Sequence, residues 1–406
     1  MERDKVFEQI IVLDNWFRRN QYKGYDPYDL FDVPLFHKLI TTKYILIRKI
    51  NRKILSWIIF LFPKVIIKIF NKKPNINAKG MGLVLKGKCN LYNITKDKKY
   101  LEDAIEIAEW LIENRSKNLN GFGWGYPFDW SGSKFIPKNT PSSVVSAVIG
   151  DGFYSLYQIT RDNKYLDVCD KICVFLTKDL NIDYVSEDKV CFSYTPIDND
   201  HVINANLFAA EFLVRIGLET KVESYVAFGE KGMNYVLSNQ KENGDFLYWG
   251  QEDKKRLRYS LSNSDHYHTG FELRMLFKLW HLLKSRKIIN ALDIYYKYYV
   301  VNFINGDGSF NIFPKKKYPI NIHACSEVLI CNSLFKNSFF NDKIDIEDIY
   351  FWINKKMLDS DGLYIYEIRN IFGLKLKNGF KFNRWAQAWM YLALTEYLLM
   401  NNYNGK

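Results

Sequence analysis

Apolar residues recur at 101, 104, 105, 108, 111 and 112, the spacing that lays one apolar stripe along a helix. The stretch 165–176 opens with the same Tyr-Leu-Asp/Glu start and keeps the same period, and weaker versions begin near Tyr225, Ile288 and Asp345. The pattern returns about every sixty residues, longer than the usual helical solenoid repeats. Each copy follows a stretch that is apolar or small-residue on most of its circumference, at 78–92, 142–158, 204–216, 269–283 and 324–334. Short polar turns such as Thr95-Lys96-Asp97 join the two, so each unit reads as a helical hairpin with a buried inner helix and an amphipathic outer one. A glycine turn and an aromatic extended piece come next, at 120–126, 243–249, 306–310 and 361–366. Glycine supplies the positive φ such turns use.

Five hairpins account for residues 78 to about 358, and one lone helix is left at each end, 6–18 and 384–399. Pairing these two closes six hairpins into a ring, an all-α (α/α)6 toroid with short aromatic β-like loops at one rim. An open superhelix is the competitor, but it would leave Phe7, Ile10, Leu13 and Trp16 at one end and Trp385, Trp389 and Leu392 at the other without cover. The reading is therefore one toroidal domain over 1–406, interrupted by a segment at 37–73 that does not follow the pattern.

That segment carries the charge. The chain has 57 Lys+Arg against 45 Asp+Glu, a formal +12, yet ten of the basic residues and no acidic one lie between His37 and Lys73, and the remainder holds 47 against 45. Within it, 54–70 (ILSWIIFLFPKVIIKIF) is strongly apolar but broken by Pro63, Lys64 and Lys68, too short and too charged to span a bilayer. A basic amphipathic segment against an anionic membrane surface is one expectation; a buried helix with snorkelling lysines is the other. Nucleic acid is not an expected partner, because aliphatic residues interleave the basic run and no reader motif is present. Six cysteines without a CxxC pair support neither a disulfide framework nor a zinc ribbon. With acidic residues among the first twenty positions, no signal peptide is read, and a cytoplasmic place, peripheral at the inner membrane face, is expected.

In a barrel of hairpins the aromatic loops and the N-terminal ends of the inner helices share a rim, so polar residues there are the site candidates. They are Asp129 and Trp130, then Ser193, Tyr194 and Asp198, then His201, Asn204 and Asn206. Next come Asp265, His266, His268 and Glu272, then His323 and Glu327, and finally Arg384, Trp385 and Gln387. Four of the six histidines fall in this set. Histidine titrates near neutrality and serves as general acid or base, while Tyr, Asn and Arg bind the carboxylate of a uronate. His266 and His268 alternate in what reads as an extended loop and so face the same side, as a shared acid/base pair or a satisfied structural pair. Asp129 paired with Asp198 or Glu272 would instead suit glycoside hydrolysis; the duller roles are helix caps and loop bends. Trp124, Tyr126, Trp130 and Trp249 suit stacking on sugar faces, or the core. The His-x-His spacing with His323 and Glu327 is not diagnostic of a metal site, and no metal or cofactor is expected. There is no GxxxxGK[ST], no dinucleotide fingerprint and no GxSxG elbow.

Several motifs together carry a resemblance: Gly24-Tyr-Asp-Pro-Tyr-Asp29, Ala78-Lys-Gly80, Trp124-Gly-Tyr-Pro-Phe-Asp-Trp130, Cys191-Phe-Ser-Tyr-Thr-Pro196, Asn204-Ala-Asn206, His268-Thr-Gly-Phe271 and Arg384-Trp-Ala-Gln-Ala-Trp389. Across nearly the whole chain they resemble a family of six-hairpin toroid proteins encoded in surface-polysaccharide clusters, VpsJ-like and similar to N-acylglucosamine 2-epimerase. The wider superfamily holds sugar epimerases, unsaturated glucuronyl hydrolases and polysaccharide lyases, so the resemblance implies a saccharide or lipid-linked saccharide substrate, while the reaction must come from the site. The two-histidine acid/base arrangement of the 2-epimerases maps onto His268 and His323. The expectation is epimerisation or elimination by proton transfer, with His266, His268 and His323 as acid/base groups and Arg384 as anion binder. Hydrolysis through Asp129 and a second carboxylate, and a non-catalytic carbohydrate-binding or scaffold role, are the alternatives. The basic apolar segment between Asp29 and Ala78 is where the chain departs from the family pattern.

Overall fold

A computed structural model describes residues 2–131, 135–253, 264–336, 338, 340 and 345–402. In chain order its helices are α1 (Glu2–Arg19), α2 (Pro27–Phe31), α3 (Pro34–Ile40), α4 (Ile45–Leu61), α5 (Pro63–Ile69), α6 (Ala78–Thr95), α7 (Lys98–Glu113), α8 (Ser143–Thr160), α9 (Asn163–Val174), α10 (Ile203–Thr220), α11 (Glu223–Ser238), α12 (His266–Leu283), α13 (Arg286–Phe303), α14 (Ile322–Phe335), α15 (Ile346–Met357) and α16 (Trp389–Asn402). Helices α6, α8, α10, α12, α14 and α16 pack side by side in that order, and α16 returns to α6, so they form the closed inner ring of an (α/α)6 toroid.

Local chemistry sets the ends of these helices. Asn77, Ser142, Asp265 and Asn321 each accept from backbone N–H groups in the first turn of an inner helix. At the other end, Lys96, Arg161, Lys221 and Lys284 all take the left-handed conformation after α6, α8, α10 and α12. Asp97 and Asp162 then cap the next outer helix, so the repeated polar turn is one device used again. Two inner helices start earlier than the sequence pattern places them: α12 at His266 and α14 at Ile322. This puts His266, His268 and His323 in first helical turns rather than in loops.

The seam that closes the ring is built from both chain ends. Val6, Ile10, Leu13 and Phe17 of α1 are buried, and Phe17 meets Tyr391 of α16 edge to face, with ring centroids 5.6 Å apart. The Tyr391 hydroxyl donates to Asp14 at 3.0 Å. Lys88, fully buried on α6, pairs with both Asp14 and Asp103, the latter at 2.6 Å. Gly87 is required there because a Cβ would sit 2.6 Å from the Tyr391 ring.

Two irregularities matter for the site. Residues Asn383–Ala388 form a π-helical turn that leads into α16, so the sequence-predicted helix at 384–399 does not run uniformly. The stretch 37–73 forms α3, α4 and α5, anchored where Lys23–Gly24 pairs with Asn75–Ile76. Its α4 leans on the antiparallel hairpin of Glu367–Ile371 and Leu374–Asn378: Arg369 donates to the Ser56 hydroxyl at 2.9 Å, and Asn378 donates to the Phe60 carbonyl at 2.9 Å.

Candidate active site

A cavity of about 110 Å³ opens where the N-terminal ends of all six inner helices meet the loops. Lys79 of α6, Val144 of α8, Asn204 of α10, Tyr267, His268 and Phe271 of α12, His323 of α14, and Arg384 and Trp385 of the π turn line it. Tyr28, Tyr126, Phe128, Trp130, Tyr194 and Tyr248 complete the wall from the loops. The rings pack on one another: Tyr126 stacks on Phe128 at 5.2 Å, and Phe128 on Tyr28 at 5.6 Å. Such rigid aromatic faces suit the C–H faces of a sugar.

His268 is oriented by its own helix cap. Asp265 accepts from the His268 backbone N–H at 3.1 Å and contacts its ring Nδ1 at 2.9 Å. One carboxylate therefore fixes both the helix start and the imidazole, leaving Nε2 for the cavity side. His323 is its opposite in character. Its ring stacks on Tyr267 (4.6 Å, 9°) and meets Trp385 and Trp389 at 4.7 Å, and neither ring nitrogen has a hydrogen-bond partner. Burial, reinforced by Lys79, Arg384, His268 and Arg274, holds it well below the usual imidazole range. His323 is thus a neutral imidazole whose two nitrogens are unclaimed by the protein.

Positive charge gathers beside the histidines. Arg384 Nε lies 2.6 Å from Asp26 Oδ2 with both side chains buried, and its guanidinium stacks over Tyr126 and Trp385, each at 5.0 Å. Lys79 is buried over Phe271 and Trp389 at 5.9 and 5.4 Å, and among the described residues no carboxylate pairs with it. Burial lowers the Lys79 ammonium, and the neighbouring Tyr126 opposes this. Burial alone would raise the Tyr126 phenol, but Lys79 and Arg384 outweigh it and hold the phenol below its ordinary value. Among the described residues no Asp or Glu lines the cavity.

The predicted residues divide clearly. Tyr126, Trp130, Tyr194, Asn204, His268, His323, Arg384 and Trp385 converge on the cavity. His266 does not: two positions from His268 on a helix, rather than on a strand, it points the other way. Its Nδ1 faces the Asn311 carbonyl at 2.8 Å, its Nε2 faces the Tyr299 hydroxyl at 3.1 Å, and burial lowers it to about 4. Glu272 lies away from the cavity, bonded to the Tyr295 hydroxyl and pushed up by burial. Glu327 is paired with Arg274 at 2.5 Å. Asn206 accepts from Phe192 N and donates to Gly232 O, and Gln387 bonds the Tyr364 backbone in both directions. The indole of Trp124 donates to Leu111 O in the core. Trp249 stands behind Tyr248, with centroids 4.8 Å apart. Asp129 accepts from Lys138 N and lines a neighbouring hollow, while Asp198 accepts from the backbone of its own turn. His201 pairs with Asp183 at 3.0 Å, outside the cavity.

Lys79, Tyr28, Tyr248, Tyr267 and the supporting Asp26 were not assigned roles from sequence, whereas Asp265 was named as a candidate. Lys79 had a visible signal: a lysine in the first turn of an otherwise apolar inner helix. Asp26 stood in the Gly24–Asp29 motif, but its role did not show, because its partner lies 358 residues away. Among the described residues no group of three His, Cys, Asp or Glu is placed to hold a metal.

The chain is similar to a cellobiose 2-epimerase from Bacillus thermoamylovorans at 12% identity, over 79% of this chain and 87% of that one, with a TM-score of 0.58. It is similar to a GH76 alpha-mannanase from Bacteroides thetaiotaomicron at 14% identity, over 81% and 88%, with a TM-score of 0.57. It is also similar to a polysaccharide lyase at 14% identity, over 87% and 98%, with a TM-score of 0.53. All share the (α/α)6 toroid fold with this chain. No family model matches the sequence, and no curated protein matches it.

Proposed function

We propose that the chain is a carbohydrate-active enzyme that moves a proton at a carbon of a saccharide, by epimerisation or elimination. The observation that carries this is that His268 and His323, from adjacent inner helices, line one aromatic cavity, the first ring held by a carboxylate and the second with both nitrogens free. One imidazole removes a proton from a carbon next to a carbonyl or carboxylate. The electron pair moves onto that oxygen, where Lys79 and Arg384 stabilise the charge. The second group returns a proton to the other face, which inverts the centre, or protonates a leaving oxygen, which eliminates it; neither path consumes a co-reactant. The printed names of the similar structures, an epimerase and a lyase among them, support this reaction class. The described lining places two histidines and two cations in the cavity and no carboxylate pair, which favours proton transfer over hydrolysis.

The substrate read here is a surface-polysaccharide precursor, free or lipid-linked. The aromatic lining of the cavity suits a sugar face, and its cationic side fits a uronate. NMR of uronic-acid and reducing oligosaccharides incubated with the protein in deuterated water tests the reaction. Incorporation of solvent deuterium at one sugar carbon, or a new unsaturation, is the expected result. A saccharide that binds without either outcome makes the chain a carbohydrate-binding protein instead.

A further inference from the structure

The segment from Leu35 to Ile69 holds twelve of the twenty-three large apolar side chains that are exposed among the described residues. On α4 they are not scattered. At 100° per residue, Leu46, Ile47, Ile50, Ile54, Ile58 and Leu61 fall within an arc of about 120°, and all are exposed. The opposite side, with Leu55 and Ile59, is buried against the toroid. Phe62, Val65 and Ile69 continue the exposed apolar surface along α5. Lys38, Lys43, Lys49, Lys53, Lys64 and Lys68 are exposed in the same segment and Lys73 just after it, and no acidic residue lies between Leu35 and Lys73.

A second element adds to this surface. The hairpin that supports α4 ends in a tight turn where Phe372 is fully exposed and Leu374 is 64% exposed, with Lys375 and Lys377 exposed beside them. Its stem touches α4 through Arg369, whose guanidinium lies over Trp57 and Phe60 at 4.4 and 4.3 Å. An exposed apolar patch of this extent needs a cover.

We infer that α4, α5 and the tip at Phe372 form a docking surface for an anionic lipid bilayer. No described helix is long and apolar enough to cross a membrane, and Pro63 divides the segment, so it lies in the interface with its apolar arc towards the acyl boundary. Charge complementarity selects the bilayer over a protein partner: the lysines border the apolar arc, as headgroup phosphates require, and nothing acidic opposes them. The surface adjoins the cavity. A hollow of about 400 Å³ is lined by Ile40, Arg52 and Ser56 of the docking segment together with Tyr28 and Trp130 of the cavity wall. Docking therefore places the mouth beside the membrane.

The full chain is tested by co-sedimentation with phosphatidylcholine vesicles, with and without phosphatidylglycerol. Binding is expected only to the anionic vesicles and falls with added salt. Lys49→Gln and Lys53→Gln each lower the partition coefficient about fivefold, and the double variant Ile50→Asp, Ile54→Asp abolishes binding. All four side chains are exposed, so the circular-dichroism melt stays unchanged. Variants that partition like the wild type overturn the inference. So does a wild-type dimer in light scattering that Ile50→Asp, Ile54→Asp dissolves, because the face then covers a second copy. Deuterium exchange on a soluble saccharide does not depend on this surface, so the two readings fail separately.

Discussion

Arg384 and Asp26 lie 358 residues apart in sequence and 2.6 Å apart in space, buried together at the wall of the cavity. The pair ties the loop before α2 to the π turn before α16 and so aims a guanidinium at the site. Asp26→Asn leaves Arg384 buried without its counter-charge and is expected to cost about 3–5 kcal/mol, read as a lower urea midpoint at unchanged slope. Asp26→Leu combined with Arg384→Met removes both charges and is expected to recover much of that stability while leaving the anion site empty. A single variant as stable as the wild type contradicts the pair's structural role.

The closing seam makes a parallel prediction. Lys88→Met removes the buried cation from Asp14 and Asp103 and leaves the pair to the more exposed Arg18, at an expected cost of about 3 kcal/mol. The loss should concentrate at the chain ends, so amide hydrogen exchange of α1 and α16 should accelerate more than that of α10. Uniform acceleration across the ring would argue against a local seam.

Asp265 is a positioning residue, and its effect is expected in the activity rather than in binding. Asp265→Asn keeps a cap for α12 but weakens the hold on the His268 ring, so kcat should fall ten- to a hundredfold with KM little changed. A loss confined to KM points to a binding role instead.

His266 predicts a pH effect on stability. Its pKa is lowered to about 4 by burial, against about 6.5 in the unfolded chain. The unfolded state therefore binds the extra proton first, and the contribution, up to about 3 kcal/mol, is present above pH 6.5 and lost as pH falls towards 4. His323 acts in the same direction. Asp29 and Glu327, each raised to about 7, act in the opposite one, so the wild-type curve alone does not isolate His266. The difference curve between wild type and His266→Gln should slope only over this window; a flat difference would show that His266 is not held neutral.

The fold was legible because each hairpin repeats one pattern, an apolar inner helix, a polar turn and a striped outer helix, and because unmatched apolar faces at both ends pointed to closure. The histidines were harder. Reading His266-Tyr-His268 as an extended loop put both rings on one face; Asp265 caps a helix there, and a period of 3.6 rather than 2 separates them. Acidic residues were the least legible group. Glu272, Glu327 and Asp129 carry the right chemistry, but buried partners on other elements claim the first two, and a backbone amide in its own loop claims Asp129. The strands at Ile182–Phe192 and Glu367–Asn378 were missed because their alternation is short and interrupted by polar turns.

The central claim is that His268 and His323 exchange a substrate proton, and solvent-deuterium incorporation into the sugar tests it most directly. With a saccharide that the wild type labels, His268→Gln and His323→Gln should each lower the labelling rate by about 10²–10⁴, while Asp129→Asn and Glu327→Gln, once shown to be folded, should label at rates within a few-fold of wild type. Undiminished labelling by both histidine variants, or loss only in the carboxylate variants, would contradict the account.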